Sequence, residues 1–270
     1  CLMNKWNRLQ IKALFEQAEA EKFAIPAFNY SDIWDMKALI AAAEIERAPI
    51  ILMADPPVYD GLGRKICCAM VDTLAAESTV PIIHHLDHSC DPTVCSQAID
   101  YGFRSVMIDA SDKALDQNIR IVKGIAKKAH ENDCFVEAEI GRIRGESSYE
   151  TSYSGDDYLF VLDEAVSLVE NACPDSLAIG IGNAHGFYKG PPQINLNKLQ
   201  EAYEAIPIPL VLHGGTGIPV PLIRQAIQGG IRKVNIGTDI YTTYMNTVRQ
   251  KLLRDGENQF PFVGIKPAML

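Results

Sequence analysis

Three histidines of this chain stand where short apolar segments end. His88 closes the motif HLDH, His185 lies in GNAHG, and His213 begins HGGTG. Three imidazoles that converge on one point form a good zinc site, with a fourth position open to water or substrate. We therefore interpret His88, His185 and His213 as candidate zinc ligands.

The other histidines have plainer interpretations. A single histidine in an apolar setting is usually a hydrogen-bonded core or loop residue, and we assign His84 and His130 to that class. Side chains alternate along a strand, so His85 is expected on the face opposite His88. We expect His85 to support the site rather than to bind metal.

Two carboxylates, Asp109 and Glu139, end neighbouring apolar segments. They could hold an alternative metal position or orient the histidines from behind. The other interpretation is that they are ordinary strand-end carboxylates neutralised by lysine or arginine.

Glycine-rich turns follow the last two apolar segments, HGGTG from His213 and NIGTD from Asn235. Glycines let backbone N–H groups approach an anion, and threonine adds a hydroxyl donor. Loops after strands 7 and 8 of a closed barrel commonly form a phosphate site. We predict such a pocket here, with Lys189 as an added positive charge.

To bring these groups together, the chain must alternate strands with helices. Its short apolar runs are continuous rather than alternating, as expected for parallel strands buried on both faces. The predicted strands are 25–29, 49–54, 82–87, 105–110, 135–140, 177–182, 210–213 and 234–237. Helix-like segments between them include 34–48, 114–132, 196–205 and 219–229.

Eight strand–helix units predict a (β/α)8 barrel, the TIM barrel of the α/β class, as one domain over residues 1–270. An open doubly wound sheet is the alternative, but it would need a GxGxxG turn where this chain reads IPAFNYS. In a barrel, the carboxyl ends of the strands surround one mouth. The long connection 141–157, rich in Gly, Ser, Tyr and charge, is typical of a functional loop.

Composition restricts the class of partner. The chain has 25 Lys and Arg against 34 Asp and Glu, a net charge of −9, and no basic cluster to neutralise a nucleic acid. No apolar run approaches the roughly 20 residues of a membrane span. We find no signal-peptide core and expect Met3 as the start. Seven cysteines in no zinc pattern suggest reduced thiols in a cytoplasmic protein.

In order and spacing, the motifs resemble those of the class II, metal-dependent ketose-bisphosphate aldolases, in the branch of the tagatose- and fructose-bisphosphate enzymes. The resemblance runs from Ile25 to Arg249 and rests on AFN, HLDH, GFRSVMID, VEAEIG, GNAHG, LHGGTG and KVNIGT. It implies a Zn²⁺-dependent lyase, with a monovalent cation as a second candidate ion. It also implies a homodimer or homotetramer, and a chain that ends inside the family's final helix.

The resemblance implies a role for each matching residue. His88, His185 and His213 would bind zinc, with Glu139 and Asp109 at an outer or alternative metal position. Asp87 would take the proton of the C4 hydroxyl, and Glu146 in the long connection would handle the proton at C3. The implied substrate contacts are Asn29, Asn235 and Gly237. The implied C1 phosphate pocket contains Gly186, Lys189, Gly214, Gly215, Thr216 and Thr238.

Such an enzyme reversibly cleaves the C3–C4 bond of a ketose 1-phosphate to glycerone phosphate and an aldehyde. Cleavage leaves a carbanion beside the C2 carbonyl, which zinc stabilises as a Lewis acid. No Schiff-base lysine is then needed, and none of the predicted strand ends is a lysine.

The chain departs from the family pattern where the far, C6 phosphate is bound. Asp55 stands where the family has a serine, and the position of the family's C-terminal arginine falls near Phe262. Arg142 and Arg144 follow the fifth strand, where guanidinium groups could grip a different anion. We therefore expect 6-deoxy-6-sulfofructose 1-phosphate as substrate, giving sulfolactaldehyde. Fructose or tagatose 1,6-bisphosphate and 6-phospho-5-dehydro-2-deoxygluconate are the alternatives.

Three other classes of protein are less consistent with the motifs. A zinc hydrolase on this barrel would place a His-x-His pair after the first strand, where the chain has Phe28 and Asn29. A phosphosugar isomerase shares the phosphate loops but does not need three histidines. A non-catalytic binding barrel would not need Asp87 beside them.

Overall fold

The computed structural model describes residues 6–141, 143 and 158–255. Four residues with predicted roles, Arg142, Arg144, Glu146 and Phe262, lie outside the described residues.

Eight parallel strands close into a barrel in chain order, because β1 pairs with both β2 and β8. This confirms the predicted (β/α)8 barrel. The strands are β1 (Ile25–Asn29), β2 (Ile50–Ala54), β3 (Ile82–Ser89), β4 (Ser105–Ile108), β5 (Phe135–Ile140), β6 (Ser176–Ile179), β7 (Leu210–Leu212) and β8 (Ile231–Ile236).

One helix, α1, precedes β1; the other helices follow the strands and cover the outside of the barrel. The helices are α1 (Arg8–Glu21), α2 (Ile33–Glu46), α3 (Pro56–Leu62), α4 (Arg64–Glu77), α5 (Pro92–Tyr101), α6 (Leu115–Glu131), α7 (Leu162–Ala172), α8 (Leu196–Ala205), α9 (Val220–Gln228) and α10 (Thr238–Asp255). None of these helices is both long and apolar enough to cross a membrane.

Helix starts follow side-chain chemistry that the sequence carries. Asp32 caps α2 in a reciprocal box with Asp35, and Asp55 caps α3 by accepting a hydrogen bond from the Val58 backbone N–H. These carboxylates satisfy backbone donors that the first turn of a helix leaves free.

Strand bounds agree with the predicted apolar runs to within two residues, except that β6 ends at Ile179 rather than at residue 182 and that β8 starts early. β8 begins at Ile231, three residues before the predicted start of the strand, because Arg232 and Lys233 broke the apolar pattern. Both side chains are nonetheless buried, and the Arg232 Nε donates to Glu19 at 2.6 Å. Buried charge that finds a partner can therefore belong to a strand of this barrel.

The amino end of the barrel is closed by α1. Ile11 and Phe15 pack against Ile83 and Phe135 in an apolar cluster, and the Phe15 and Phe135 rings stack at 5.2 Å. With that end filled by apolar side chains, the carboxyl ends of the strands form the end at which polar chemistry can collect.

Asp175 ties three elements together just before β6. Its carboxylate accepts hydrogen bonds from the Arg8 guanidinium at 2.7 Å and from the Val136 backbone N–H at 3.0 Å, and it lies 3.1 Å from His130 Nε2. Burial opposes its charge, but the hydrogen bonds from His130 and Arg8 lower the pKa of Asp175.

We expect Asp175→Asn to destabilise the protein by about 2–4 kcal/mol at pH 7, because it leaves buried donors poorly matched. The folded-state pKa lies below the unfolded one, so this stabilisation is present above about pH 4 and is lost as the pH falls further. Urea unfolding at several pH values measures it. Asp100→Asn, which breaks an exposed pair with Lys128, should cost less than about 1 kcal/mol. An Asp175→Asn cost that stays constant down to pH 3.5 would contradict the assignment.

Candidate active site at the barrel mouth

A cavity of about 800 Å³ opens at the carboxyl ends of the strands. Most of the predicted site residues line it: Asn29, Asp55, Asp87, His88, Asp109, Glu139, His185, Gly186, Gly214, Thr216, Asn235, Gly237 and Thr238. Residues from all eight strand ends thus meet at one mouth, as the barrel requires.

The three predicted ligand histidines lie together. His213 Nδ1 is 2.8 Å from His88 Nε2, and the rings of His88 and His185 are 4.5 Å apart and nearly perpendicular. One nitrogen from each of the three rings falls within a common span of 4.8 Å. That clustering is what a single metal ion needs from its ligands.

The backbone at His88 explains how Asp87 and His88 share the mouth. Strand alternation places His84 outside, where it stacks on Phe103, and His85 inside, where its Nδ1 is 2.6 Å from Ser105 Oγ. Regular alternation would turn His88 outward again. Its φ of +47° and the register shift beyond Leu86 bring it back to the cavity.

A second set of ligand atoms lies beside the histidines. His88 Nδ1 is 3.8 Å from Asp109 Oδ2, and His88, Asp109 and Glu139 could together hold a cation. Ser111 bridges the two acids, since its Oγ is 2.7 Å from Asp109 Oδ1 and 3.2 Å from Glu139 Oε1. The two predicted carboxylates therefore face the histidines rather than a lysine or arginine.

Asp87 is held by two amides. Asn29 Nδ2 donates to one carboxylate oxygen at 3.1 Å, and Asn235 Nδ2 donates to the other at 3.2 Å. Gly237 makes room for this arrangement, because a Cβ there would lie 2.6 Å from Asn29 Oδ1. A small residue at Gly237 thus leaves Asn29 free to point at Asp87.

The electrostatics of the cluster follow from burial and neighbouring charge. Burial disfavours charge on His88, but the carboxylates of Asp87 and Asp109 raise the pKa of His88 to about 10. Burial also opposes charge on Asp87, yet His88 and His213 hold the pKa of Asp87 down at about 2. Burial, reinforced by Asp109, raises the pKa of Glu139 well above its usual range.

The other two candidate zinc ligands, His213 and His185, favour the neutral form. Burial and the positive charge of His88 lower the pKa of His213, and the same two causes lower the pKa of His185 further. A neutral imidazole offers the lone pair that a metal needs.

The glycine turns are built by close backbone contact. Gly214 has φ +65°, and a Cβ there would lie 2.0 Å from the Ala184 carbonyl oxygen. The Tyr188 hydroxyl joins the same two loops, accepting from the Ala184 N–H and donating to the Gly214 carbonyl, each at 3.0 Å. The loops after β6 and β7 are therefore locked together.

Two predicted phosphate residues do not reach the cavity. The backbone N–H of Gly215 donates to the Asn235 carbonyl at 2.8 Å, so Gly215 packs on β8 instead of lining the cavity. The side chain of Lys189 is exposed and is not among the described lining residues. Lys189 is close to His185 in sequence, but its side chain does not line the cavity.

Some lining residues were not predicted, namely Pro56, Pro57, Cys90, Ser111, Asp112, Ile143, Tyr158 and Tyr241. Ser111 follows the strand end at Asp109 by two residues, a spacing that allows a loop hydroxyl to turn back onto that carboxylate. Tyr241 comes from the first turn of α10, and nothing in the sequence indicates that it reaches β2.

Asp55 marks the far side of the cavity. Ala54 pairs with Leu86, so Asp55 follows β2 at the level of Asp87 on β3. The Tyr241 hydroxyl is 3.4 Å from Asp55 Oδ2. Burial and the nearby charge of Asp87 raise the pKa of Asp55. No lysine or arginine is among the described residues that line the cavity.

The described donor set fits a zinc ion. Three imidazoles are zinc ligands of the kind found in catalytic sites that keep one position open. Two buried polar atoms in this cluster, His185 Nε2 and Glu139 Oε2, have no hydrogen-bond partner in the described structure. Such atoms are costly unless something binds them, which favours a cation.

Comparison with known proteins decides the family. The model of the family described as fructose-bisphosphate aldolase class-II matches residues 9–269. The chain belongs to this family. An aldolase of this class is a carbon–carbon lyase, so the cavity is the candidate active site of an enzyme.

Individual relatives agree with that family. The chain is 37% identical, over 92% of its length and 86% of the relative's, to the 6-phospho-5-dehydro-2-deoxy-D-gluconate aldolase of Halalkalibacterium halodurans. It is 36% identical, with the same two coverages, to the fructose-bisphosphate aldolase of Geobacillus stearothermophilus. The crystal structure of the YdjI aldolase from Escherichia coli K12 superposes with a TM-score of 0.83 at 31% identity, covering 96% of this chain and 90% of that one.

We expect the aldolase to bind one zinc ion per chain through the three histidines. His185→Ala should lower zinc affinity by at least about 10-fold, because it removes one of three ligands. Competition with a chromogenic chelator measures it. His130→Asn, at the opposite end of the barrel, is the matched control. Equal zinc affinity in the His185→Ala and His130→Asn variants would rule out this ligand set.

Proposed function

We propose that this class II aldolase cleaves the C3–C4 bond of a ketose 1-phosphate, reversibly, to glycerone phosphate and an aldehyde. The observation that carries this proposal is Asp87, an ionised carboxylate fixed by Asn29 and Asn235 beside three clustered imidazoles. A cleavage that begins at a hydroxyl needs an oriented proton acceptor next to the group that stabilises the resulting carbanion.

Asp87 accepts the proton of the C4 hydroxyl. The O–H electron pair becomes the second bond of the aldehyde carbonyl as the C3–C4 bond breaks. The electron pair of that bond passes to C3 and delocalises onto the C2 carbonyl as an enediolate. Asn29 and Asn235 hold the carboxylate in place through both of its oxygens, so it does not reorganise during the transfer.

His88, His185 and His213 would hold the zinc ion, with Asp109 and Glu139 as the outer or alternative position. A bound zinc ion would supply Lewis-acid stabilisation of the negative charge that cleavage leaves on the substrate. Glu146, which we propose for the proton at C3, lies outside the described residues, as do Arg142 and Arg144.

The C1 phosphate belongs on the β6–β8 side of the mouth. Gly186, Gly214, Thr216 and Thr238 line that side, with Gly237 beside them. Thr238 is the first residue of α10, and the amino end of an eighteen-residue helix favours an anion. Asn235, between this side and Asp87, is a further proposed substrate contact.

A singly charged tail at C6 fits the far side better than a phosphate. A phosphate monoester carries about −1.5 to −2 charges at neutral pH, while a sulfonate or carboxylate carries one. Asp55 adds a carboxylate there, and repulsion grows with the charge of the tail. Ile143 lines the cavity. Arg142 precedes it in the chain and Arg144 follows it. We propose that these arginines bind the tail.

Two tails meet this condition. One is the sulfonate of 6-deoxy-6-sulfofructose 1-phosphate, and the other is the carboxylate of 6-phospho-5-dehydro-2-deoxygluconate, for which several relatives are named. Fructose or tagatose 1,6-bisphosphate is the alternative, supported by the name of another relative. We further propose a cytoplasmic homodimer or homotetramer.

We expect Asp87→Asn to lower kcat for glycerone phosphate release by about 10²- to 10⁴-fold, because an amide cannot accept the hydroxyl proton. Zinc content should remain near the wild-type value, since Asp87 is not one of the three ligands. Asp112→Asn is the matched control, because Asp112 lines the same cavity but pairs with Lys113. Complete removal of zinc should abolish activity and its return restore it; activity in the metal-free enzyme would exclude the proposal.

We expect the wild-type enzyme to have a higher kcat/KM for the sulfonated ketose 1-phosphate or for 6-phospho-5-dehydro-2-deoxygluconate than for fructose 1,6-bisphosphate. Asp55→Ser should shift that ratio toward the bisphosphate by about tenfold, the equivalent of roughly 1.4 kcal/mol. The double variant Arg142→Ala, Arg144→Ala should lower kcat/KM most for the two substrates with a singly charged tail. Wild-type preference for the bisphosphate, or unchanged selectivity in both variants, would refute the singly charged tail.

A further inference from the structure

A pair of opposite charges lies inside the barrel beneath the candidate active site. Lys233 Nζ on β8 is 2.8 Å from Glu137 Oε2 on β5, and each side chain is only 1% exposed. β5 and β8 are not neighbours in the barrel, so the pair spans its interior. Burying two charges costs several kcal/mol of desolvation per ion, which makes the pair a poor device for stability alone.

The other oxygen of Glu137 faces a proposed zinc ligand. Glu137 Oε1 is 2.8 Å from His213 Nε2, and Ser176 Oγ is 3.3 Å from Oε2. The opposite nitrogen of the same ring, His213 Nδ1, is 2.8 Å from His88 Nε2 and 3.9 Å from Glu139 Oε2. One side of the His213 ring therefore meets the interior pair and the other side meets the metal-ligand cluster.

The contacts settle where the hydrogen of His213 resides. Glu137 is ion-paired with Lys233, so its carboxylate can only accept hydrogen bonds. His213 Nε2 must then carry the hydrogen. Asn235 Nδ2 also lies 3.2 Å from Nε2, but two N–H groups do not bond, and Asn235 donates to Asp87.

We propose that Glu137, anchored by Lys233, is a positioning residue that holds His213 as the Nε2–H tautomer and leaves the Nδ1 lone pair for zinc. A carboxylate behind a ligand histidine fixes its ring orientation and strengthens it as a ligand. This inference rests on the zinc site of the proposed function. Lys233 acts through Glu137, because its ion pair with Oε2 leaves Oε1 to face His213.

The proposal predicts an unusual order of zinc affinity among the wild type and two variants. In Glu137→Gln, the donor-only ammonium of Lys233 attracts the amide oxygen, so the amide NH2 faces His213. An NH2 facing Nε2 requires a lone pair there and moves the hydrogen to Nδ1, toward the metal cluster. In Glu137→Gln combined with Lys233→Met, the amide is free to turn, with its NH2 toward Ser176 and its oxygen toward Nε2–H.

Zinc affinity, measured by chelator competition without substrate, should fall by about 10- to 100-fold in Glu137→Gln. The double variant should regain most of that loss, although it carries one more substitution. The visible absorption spectrum of the Co²⁺-loaded protein should change in Glu137→Gln and return toward wild type in the double variant. Lys189→Met, an exposed lysine outside the barrel, is the matched control for removing a lysine.

A second measurement reads the position of the hydrogen in the wild-type protein itself. Long-range ¹H–¹⁵N correlation spectra of the zinc-loaded wild-type protein, labelled at histidine nitrogen and assigned with His213→Gln, should show His213 protonated at Nε2. Protonation at Nδ1 would overturn the proposal.

Two other results would also overturn it. One is wild-type zinc affinity with an unchanged Co²⁺ spectrum in Glu137→Gln; the other is a double variant that binds zinc no better than Glu137→Gln. Failure of the aldol assay with these zinc measurements as expected would instead count against the proposed function alone.

Discussion

Repulsion among buried carboxylates is the constraint around which the mouth of this barrel is organised. Asp87, Asp109 and Glu139 converge on one cavity, and burial strengthens every interaction between them. Burial and the neighbouring Asp109 raise the pKa of Glu139, and the carboxylates of Asp87 and Asp109 raise the pKa of His88. A divalent cation relieves the same repulsion without those protons. The features that make the cluster costly are therefore those that suit it to a cation.

The second requirement is geometric, and the backbone at His88 meets it. A proton acceptor and a metal ligand in adjacent positions of a regular strand would point to opposite faces. A left-handed φ at a non-glycine residue costs on the order of 1–3 kcal/mol and persists only where the surroundings hold it. Here it brings Asp87 and His88 to one cavity. On the outer side of β3, Leu86 is buried in the main apolar cluster and the His84 ring stacks on Phe103.

Sequence patterns predicted the barrel and the mouth well, for a physical reason. Strands buried on both faces must be continuously apolar, so they stand out, and their polar residues collect at the ends. The ion pair inside the barrel could not be predicted from these patterns. Glu137 and Lys233 interrupt apolar runs, and their pairing depends on the closure of the barrel, which brings β5 and β8 to face each other. Lys189 was predicted to add a positive charge to the phosphate pocket because it lies near His185 in sequence, but its side chain is exposed.

The two ends of the cavity differ in how they treat a helix terminus, and this gives the substrate a direction. α3 begins beside the cavity too, but Asp55 already occupies its first turn by accepting from Val58. α10 begins at Thr238, on the side where glycine turns bring backbone close to the cavity. The start of α3 is thus capped by a carboxylate that lines the cavity, whereas at α10 the Asp239 backbone N–H donates to the neutral Thr216 hydroxyl at 3.2 Å, and Asp239 itself is not among the described lining residues. With a net charge of −9 on the chain, an anion must rely on such local fields. Under the proposed function, the phosphate of a ketose 1-phosphate would lie on the β8 side, with C4 toward Asp87 and the tail toward Asp55.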